Sequence, residues 1–271
     1  MTDLWISFSV LGLVLLLSEL TRRVAARIFP GDYQIYLLEA ACTFQLCSCT
    51  HELKLLGESV QLEPHIGLTI TYIVTLIHLA TFRGASCNAS GALESFCRGN
   101  SSFRSALVLI AFQFGAGVAA QHFVAVVWSL GLSDVHLRHQ RFGFRCFDPL
   151  GGTVLEAAAV ELACGFIIQA AVMHIHKLDE RLKAHFIAAV ITGLVFTGGS
   201  ISGAIFNPVL AFSVQFPCSG HTYLEYCFVY WLGPISGVAS CILLFEKIVP
   251  FLSGKCTIRL DVTAAKKQKT Q

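Results

Sequence analysis

Four polar residues stand out in or beside apolar stretches of a chain of 271 residues: Asn88, Asn207, Glu39 and Glu161. Asn88 sits in Gly84-Ala85-Ser86-Cys87-Asn88-Ala89-Ser90, and Asn207 in Gly203-Ala204-Ile205-Phe206-Asn207-Pro208-Val209. Both segments follow an apolar stretch and place an Asn three residues after a Gly-Ala pair. The asparagines lie 119 positions apart and the glutamates 122. Their chemistry is hydrogen bonding rather than bond breaking. An Asn amide offers two N–H donors, and a carboxylate in lipid must face inward and accept hydrogen bonds. Landmarks repeating at nearly one offset indicate an internally duplicated membrane protein, whose matching breaks in apolar segments mark the transport site.

The elements that position these residues follow from composition. Apolar residues make up 55% of the chain and charged residues 13%, with a mean hydropathy of +0.67. Soluble domains carry about 25% charge. The net charge of +2 gives no reason to expect a nucleic-acid partner. Apolar segments near 20 residues cross a bilayer as helices, because the helical backbone satisfies itself without water. Spans are expected at 4–21, 34–54, 65–83, 105–130, 152–174, 185–201 and 224–246. The pieces after Asn88, to about Phe96, and after Asn207, to about Phe216, are too short to cross. They read as half-helices that enter and stop. The reading is an all-α membrane protein in three parts: an N-terminal apolar helix with its basic flank (1–30), a channel domain (31–250) and a basic tail (251–271). Within the channel domain, one repeat covers about 34–131 and the other about 152–246.

The basic residues orient this arrangement. If 34–54 starts in the cytoplasm and the chain alternates, 15 of the 19 Lys and Arg residues fall on the cytoplasmic side. Only Lys54, Arg138, Arg141 and Arg145 lie opposite. The positive-inside bias selects this topology, and it sends the two half-helices in from opposite faces. Segment 4–21 is short for a span. A signal peptide is one alternative, but Thr21-Arg22-Arg23 stands where small cleavage-site residues belong. An uncleaved helix packed beside the core, spanning or interfacial, is the preferred reading.

Helix N-termini carry partial positive charge and free N–H groups. Two of them meeting in mid-membrane, each with an Asn at its tip, favour small neutral polar molecules over protons and metal ions. Pro208 suits a first helical position. Glu39 and Glu161 read as structural anchors accepting hydrogen bonds from the re-entrant loops.

The chain resembles the aquaporin family, and within it the divergent superaquaporin branch of aquaporin-11 and aquaporin-12. The resemblance rests on Ala41-Cys42-Thr43-Phe44-Gln45-Leu46-Cys47 with Cys49-Thr50-His51-Glu52-Leu53, and on Val127-Trp128-Ser129-Leu130-Gly131-Leu132. Phe206-Asn207-Pro208 and Tyr230-Trp231-Leu232-Gly233-Pro234 complete it, so that it covers essentially 34–250. It implies a right-handed bundle of six crossing helices plus two re-entrant half-helices as an inverted repeat, here with an extra N-terminal helix. It also implies a homotetramer with one pore per protomer. Most aquaporins carry Asn-Pro-Ala at both tips. Here the pore motifs are Asn88-Ala89-Ser90, lacking the proline, and Asn207-Pro208-Val209. Loss of that proline restores a backbone N–H and frees φ, so the first tip is expected to be less rigid. By offset, the constriction positions fall on Leu68, Val195, Ala204 and Leu210, with Leu210 where water-selective members have Arg. An apolar constriction removes an electrostatic barrier and offers fewer hydrogen bonds. Water at modest rate, with glycerol and hydrogen peroxide, is the expected cargo.

Other features weigh less. Glycines and alanines taken alone are helix-packing residues; their pairing with Asn at matched offsets points to a pore. No His-Glu-x-x-His, phosphate loop or nucleophile elbow occurs, so no metal, cofactor or enzymatic role is expected. Most of the 11 cysteines fall in spans; Cys146 and Cys218 lie on the non-cytoplasmic side, where a disulfide and free thiols are equally compatible with the sequence. Lys267 and Lys269, fifth and third from the end, resemble a dilysine retrieval signal, against the alternative of a generic basic flank; the family resemblance favours the endoplasmic reticulum. Asn100-Ser101-Ser102 is a sequon that this topology leaves cytoplasmic and unmodified. Two rivals remain: an intramembrane enzyme using Glu161 with His122 or His174, and a non-conducting scaffold that kept the fold.

Overall fold

The computed structural model describes residues 2–29, 31–59, 63–144 and 146–253. Lys267, Lys269 and Arg145 lie outside the described residues. The chain folds into helices α1 (Thr2–Ile28), α2 (Asp32–Ser59), α3 (Pro64–Thr81), α4 (Ala89–Cys97) and α5 (Phe103–Ser129), followed by α6 (Asp134–Arg141), α7 (Val154–His174), α8 (Glu180–Ser202), α9 (Pro208–Val214) and α10 (Tyr223–Leu252). Helix α10 is interrupted by π-helical turns at Phe228–Leu232 and Leu244–Ile248. Among the described residues, six helices are long and apolar enough to cross a membrane: α1, α3, α5, α7, α8 and α10. Helix α2 is equally long but carries Glu39, Glu52 and Lys54, all satisfied inside the protein. The architecture is an all-α membrane fold.

Local chemistry sets the helix ends. Ser102 caps α5 by accepting from Ser105 N, and Thr153–Glu156 and Thr222–Glu225 form capping boxes that open α7 and α10. Gly203, at φ 85°, terminates α8 in the left-handed conformation that glycine adopts without a Cβ penalty.

Helix α2 packs on α5, α7 on α10, and α3 on α8, while α1 lies along α2. The α7–α10 crossing is close. A Cβ on Gly237 would stand 2.1 Å from the Leu162 carbonyl oxygen, and one on Gly165 2.6 Å from that of Pro234. Small residues let membrane helices approach to backbone contact in this way.

Helix α1 is longer than the apolar stretch 4–21. It runs on through Arg22, because that guanidinium is buried and donates to Gln45 Oε1 at 2.8 Å rather than ending the helix in water. At the other end Ser7 Oγ donates to Glu52 at 2.6 Å, so α1 and α2 are antiparallel. Helix α6 was not foreseen. Ser133 caps it, and its His136 joins Trp128 Nε1 and Ser7 on the buried Glu52 carboxylate.

Cys146 and Cys218 are joined in a disulfide, which fastens the segment before α7 to the one following α9. Ser219 N adds a hydrogen bond to Cys146 O at 3.1 Å. Replacing both cysteines with Ser is expected to cost about 2–4 kcal/mol. A thermal denaturation scan of the purified protein checks this; an unchanged midpoint would show that the bond holds nothing that matters to stability.

Candidate functional site

The site is built around the two asparagines. Asn88 (φ −145°) and Asn207 (φ −137°) are extended and occupy the cap positions of α4 and α9. Asn88 Oδ1 accepts from Ser90 N at 3.0 Å, and Asn207 Oδ1 from Val209 N at 3.0 Å and Leu210 N at 3.3 Å. With each oxygen held by its own helix, each amide nitrogen turns away from it. Asn88 Nδ2 donates to Phe206 O at 3.3 Å, and Asn207 Nδ2 donates to Cys87 O at 2.7 Å. Each acceptor is the carbonyl of the residue preceding the other asparagine. One N–H of each amide is therefore used across the junction, which leaves one donor per tip rather than the two expected from sequence.

This reciprocal pairing depends on backbone that side chains rarely adopt. Cys87 (φ 51°), Ala204 (φ 47°) and Phe206 (φ 37°) all have positive φ, at a cost on the order of 1–3 kcal/mol each. The two buried glutamates offset it. Glu39, on α2, accepts from Ser86 N at 3.2 Å, Ser86 Oγ at 2.8 Å and Cys87 N. Glu161, on α7, accepts from Ser202 Oγ at 2.6 Å, Ile205 N at 3.0 Å and Phe206 N at 2.6 Å. Each carboxylate thus holds the two amides immediately before an asparagine. Hydrogen bonds to a charged acceptor are about twice as strong as neutral ones.

The half-helices point away from each other. Arg98, just beyond α4, pairs with Glu94 and with Glu246 near the end of α10, and Gln169 Nε2 donates to Glu94 at 2.8 Å. The far end of α9 is held at the opposite end of the bundle, where Lys54 Nζ donates to Val214 O at 3.2 Å and Gln121 Nε2 to Ser213 O at 2.8 Å. Cations and amide donors at a helix C-terminus satisfy carbonyls that have no partner within the helix. Tip meets tip, and each tail is fastened near its own end of the bundle. Helix α9 packs on α2 and α5, whereas α4 packs on α5 and α10.

The pore-motif residues Ala89, Ser90, Pro208 and Val209 are all buried in the first turns of these helices. Of the four constriction positions, Val195 and Ala204 share an apolar cluster with Cys164 and Leu194. Leu210 belongs to a different cluster, with Val214, Tyr226 and Tyr230. Leu68 is partly buried on α3 and falls in neither.

Several residues that hold the site were not picked out from sequence. Gln113 on α5 is fully buried and donates to Glu39 Oε1 at 2.7 Å and Ser86 Oγ at 3.2 Å. Tyr230 Oη donates to Ser202 O at 2.7 Å. The available signal was a polar side chain inside an apolar span, which is expensive in lipid and therefore purposeful. The enzymatic rival gains no constellation. His174 bonds to Ala170 O and packs edge-on against Phe245, His122 is exposed, and Glu161 is occupied by the α9 loop. Among the described residues no His, Cys, Asp or Glu cluster is arranged as metal ligands.

The fold and this junction define a class: a multi-pass, all-helical membrane protein with two re-entrant half-helices meeting tip to tip. Comparison with known proteins makes it specific. Human aquaporin-11 is 35% identical over 257 residues, covering 94% of each chain, and horse (Equus caballus) aquaporin-11 is 35% identical over 260 residues, covering 95% of each. Human putative aquaporin-12A is 33% identical over 254 residues, 93% of this chain and 83% of that one. No family model matches the sequence. The chain belongs to the aquaporin family of membrane channels, on its aquaporin-11 and aquaporin-12 branch.

Proposed function

We propose that the protein is a passive channel for water and small neutral solutes, glycerol and hydrogen peroxide among them, in an intracellular membrane. The observation that carries this reading is the reciprocal bonding of Asn88 and Asn207 to the carbonyls of Phe206 and Cys87. It leaves one amide N–H at each tip for a passing molecule, in a junction where a cation meets no compensating carboxylate. Both nearby carboxylates are consumed by backbone and side-chain donors. In this reading Leu68, Val195, Ala204 and Leu210 form the narrow point, and Glu39 and Glu161 are anchors rather than permeation residues.

The test is flux across liposomes containing the purified protein. Osmotic shrinking at a modest rate above empty vesicles is expected, together with faster peroxide or glycerol entry. The apolar character of the four constriction positions favours the second reading, a non-conducting scaffold. Rates equal to those of empty vesicles for all three solutes would establish it.

The lysine pair near the end of the chain supports placement in the endoplasmic reticulum, with the tail in the cytoplasm where retrieval receptors read it. Replacing Lys267 and Lys269 with Ser is expected to release protein to the cell surface, measured by surface biotinylation. Unchanged distribution removes the signal from the account. Assembly as a homotetramer, one pore per protomer, completes the proposal.

A further inference from the structure

A cleft of about 240 Å³ opens between α1 and α3, with Cys49 of α2 among its lining residues. Leu11, Leu15, Ile73, Val74 and Ile77 make its walls apolar, and His78 is the last residue of α3 to line it. The imidazole is 7% exposed, and its Nε2 is buried without a partner. Two further buried polar atoms on α1 lack partners, Ser18 Oγ and Arg22 Nη2, both beyond the residues that line the cleft. Leu11, Leu15, Ser18 and Arg22 succeed one another at helical spacing and so share one face of α1. The guanidinium reaches α3 through Gln45: Arg22 Nη1 donates to Gln45 Oε1 at 2.8 Å, and Gln45 Nε2 donates to Thr81 Oγ1 at 2.9 Å. Thr81 Oγ1 in turn bonds to Ile77 O, which brings this chain to the helical turn that carries His78.

Hydrocarbon offers no water to such groups; His78 in the lining, with Ser18 and Arg22 on the turns of α1 beyond Leu15, points to a ligand with an apolar body and an accepting head. The charge balance identifies the head. Glu19 is shared by Arg22, Arg23 and Arg83, at 3.1, 2.8 and 2.6 Å, three guanidinium groups on one carboxylate. Of the three only Arg22 is buried, and its unpartnered Nη2 suits a second carboxylate oxygen. A fatty acid carries one carboxylate on one alkyl chain, against one buried guanidinium and one apolar cleft of about 240 Å³. We propose that this cleft binds a free single-chain fatty acid, its chain between α1 and α3 and its carboxylate drawn to Arg22, Ser18 and His78.

The test uses the full chain in phosphatidylcholine nanodiscs and a long-chain fatty acid with a terminal diazirine, photolysed and mapped by peptide mass spectrometry. Adducts are expected within 8–15 or 70–78, competed by palmitic acid but not by its methyl ester, and reduced about tenfold by Arg22→Gln. Gly12→Leu supplies an independent variant, because Gly12 lines the cleft and a Cβ there meets nothing within 4 Å. It fills the space without disturbing the fold and is expected to abolish labelling. Equal competition by the methyl ester, or full labelling of Gly12→Leu, would reduce the cleft to ordinary lipid contact and overturn the proposal. Stronger competition by phosphatidic acid than by palmitic acid would assign the site to a bilayer phospholipid and overturn it as well.

Discussion

Glu161→Gln is expected to leave little folded protein, and whatever folds should not conduct. The carboxylate is fully buried, and both of its oxygens accept: Oε1 from Ser202 Oγ and Ile205 N, Oε2 from Phe206 N. Gln keeps the volume but turns one of those oxygens into a donor. At least one backbone N–H then faces another N–H inside the protein. Breaking a buried, charge-assisted arrangement of this kind costs about 3–5 kcal/mol. The same bonds hold Phe206 at φ 37°, and its carbonyl receives Asn88 Nδ2. Releasing them loosens both asparagines, although Glu161 does not touch Asn88. Size-exclusion chromatography for folded yield and liposome flux for conduction make the check. Wild-type yield with wild-type flux would show that the carboxylate does not hold the loop. Folded protein that loses a membrane enzymatic activity would revive the catalytic reading.

The second large effect is expected at Gly237→Leu. The α7–α10 contact is backbone to backbone at this point, with the Leu162 carbonyl oxygen 2.1 Å and Phe166 N 2.8 Å from where a Cβ would stand. No rotamer change relieves a collision with main chain, so the helices must separate. Overpacking costs about 1–3 kcal/mol where side chains can yield, and here none can, so the loss should exceed that range. Helix α7 carries Glu161, and α10 carries Tyr230, which bonds Ser202 O. Separating them therefore dismantles the α9 junction as well. The measurement is detergent-solubilised yield beside Gly193→Leu, at a glycine whose Cβ would meet nothing within 4 Å. Gly193→Leu should express as wild type; comparable yield from both variants would refute the crossing as a close-packing point.

Period and hydropathy made the long helices legible, because a backbone in lipid must satisfy itself and therefore needs an unbroken run of near 20 residues. The paired Gly-Ala-x-x-Asn segments showed where two short helices start, since Asn is a strong cap and Pro208 suits the first turn. Their identity as helix caps needed only local chemistry. Helix α6 was missed because its eight residues, with Arg138, His139 and Arg141, show no apolar run. It forms on a tertiary cue, the burial of His136 against Glu52.

Spacing along the chain named Asn88, Asn207, Glu39 and Glu161 and which of them belong to which half. It could not show that each amide bonds to the carbonyl before the other asparagine. That bond joins residues nearly half the chain apart and exists only when two positive-φ loops are brought tip to tip. Nor could it choose between a disulfide and two thiols at Cys146 and Cys218, whose separation of 72 residues carries no distance information. Sequence determined the elements and their polar landmarks because those obey local periodicity and the rule that lipid tolerates no open backbone. The partners of each buried polar atom were left to the tertiary structure, because hydrogen bonds are set by distance in space.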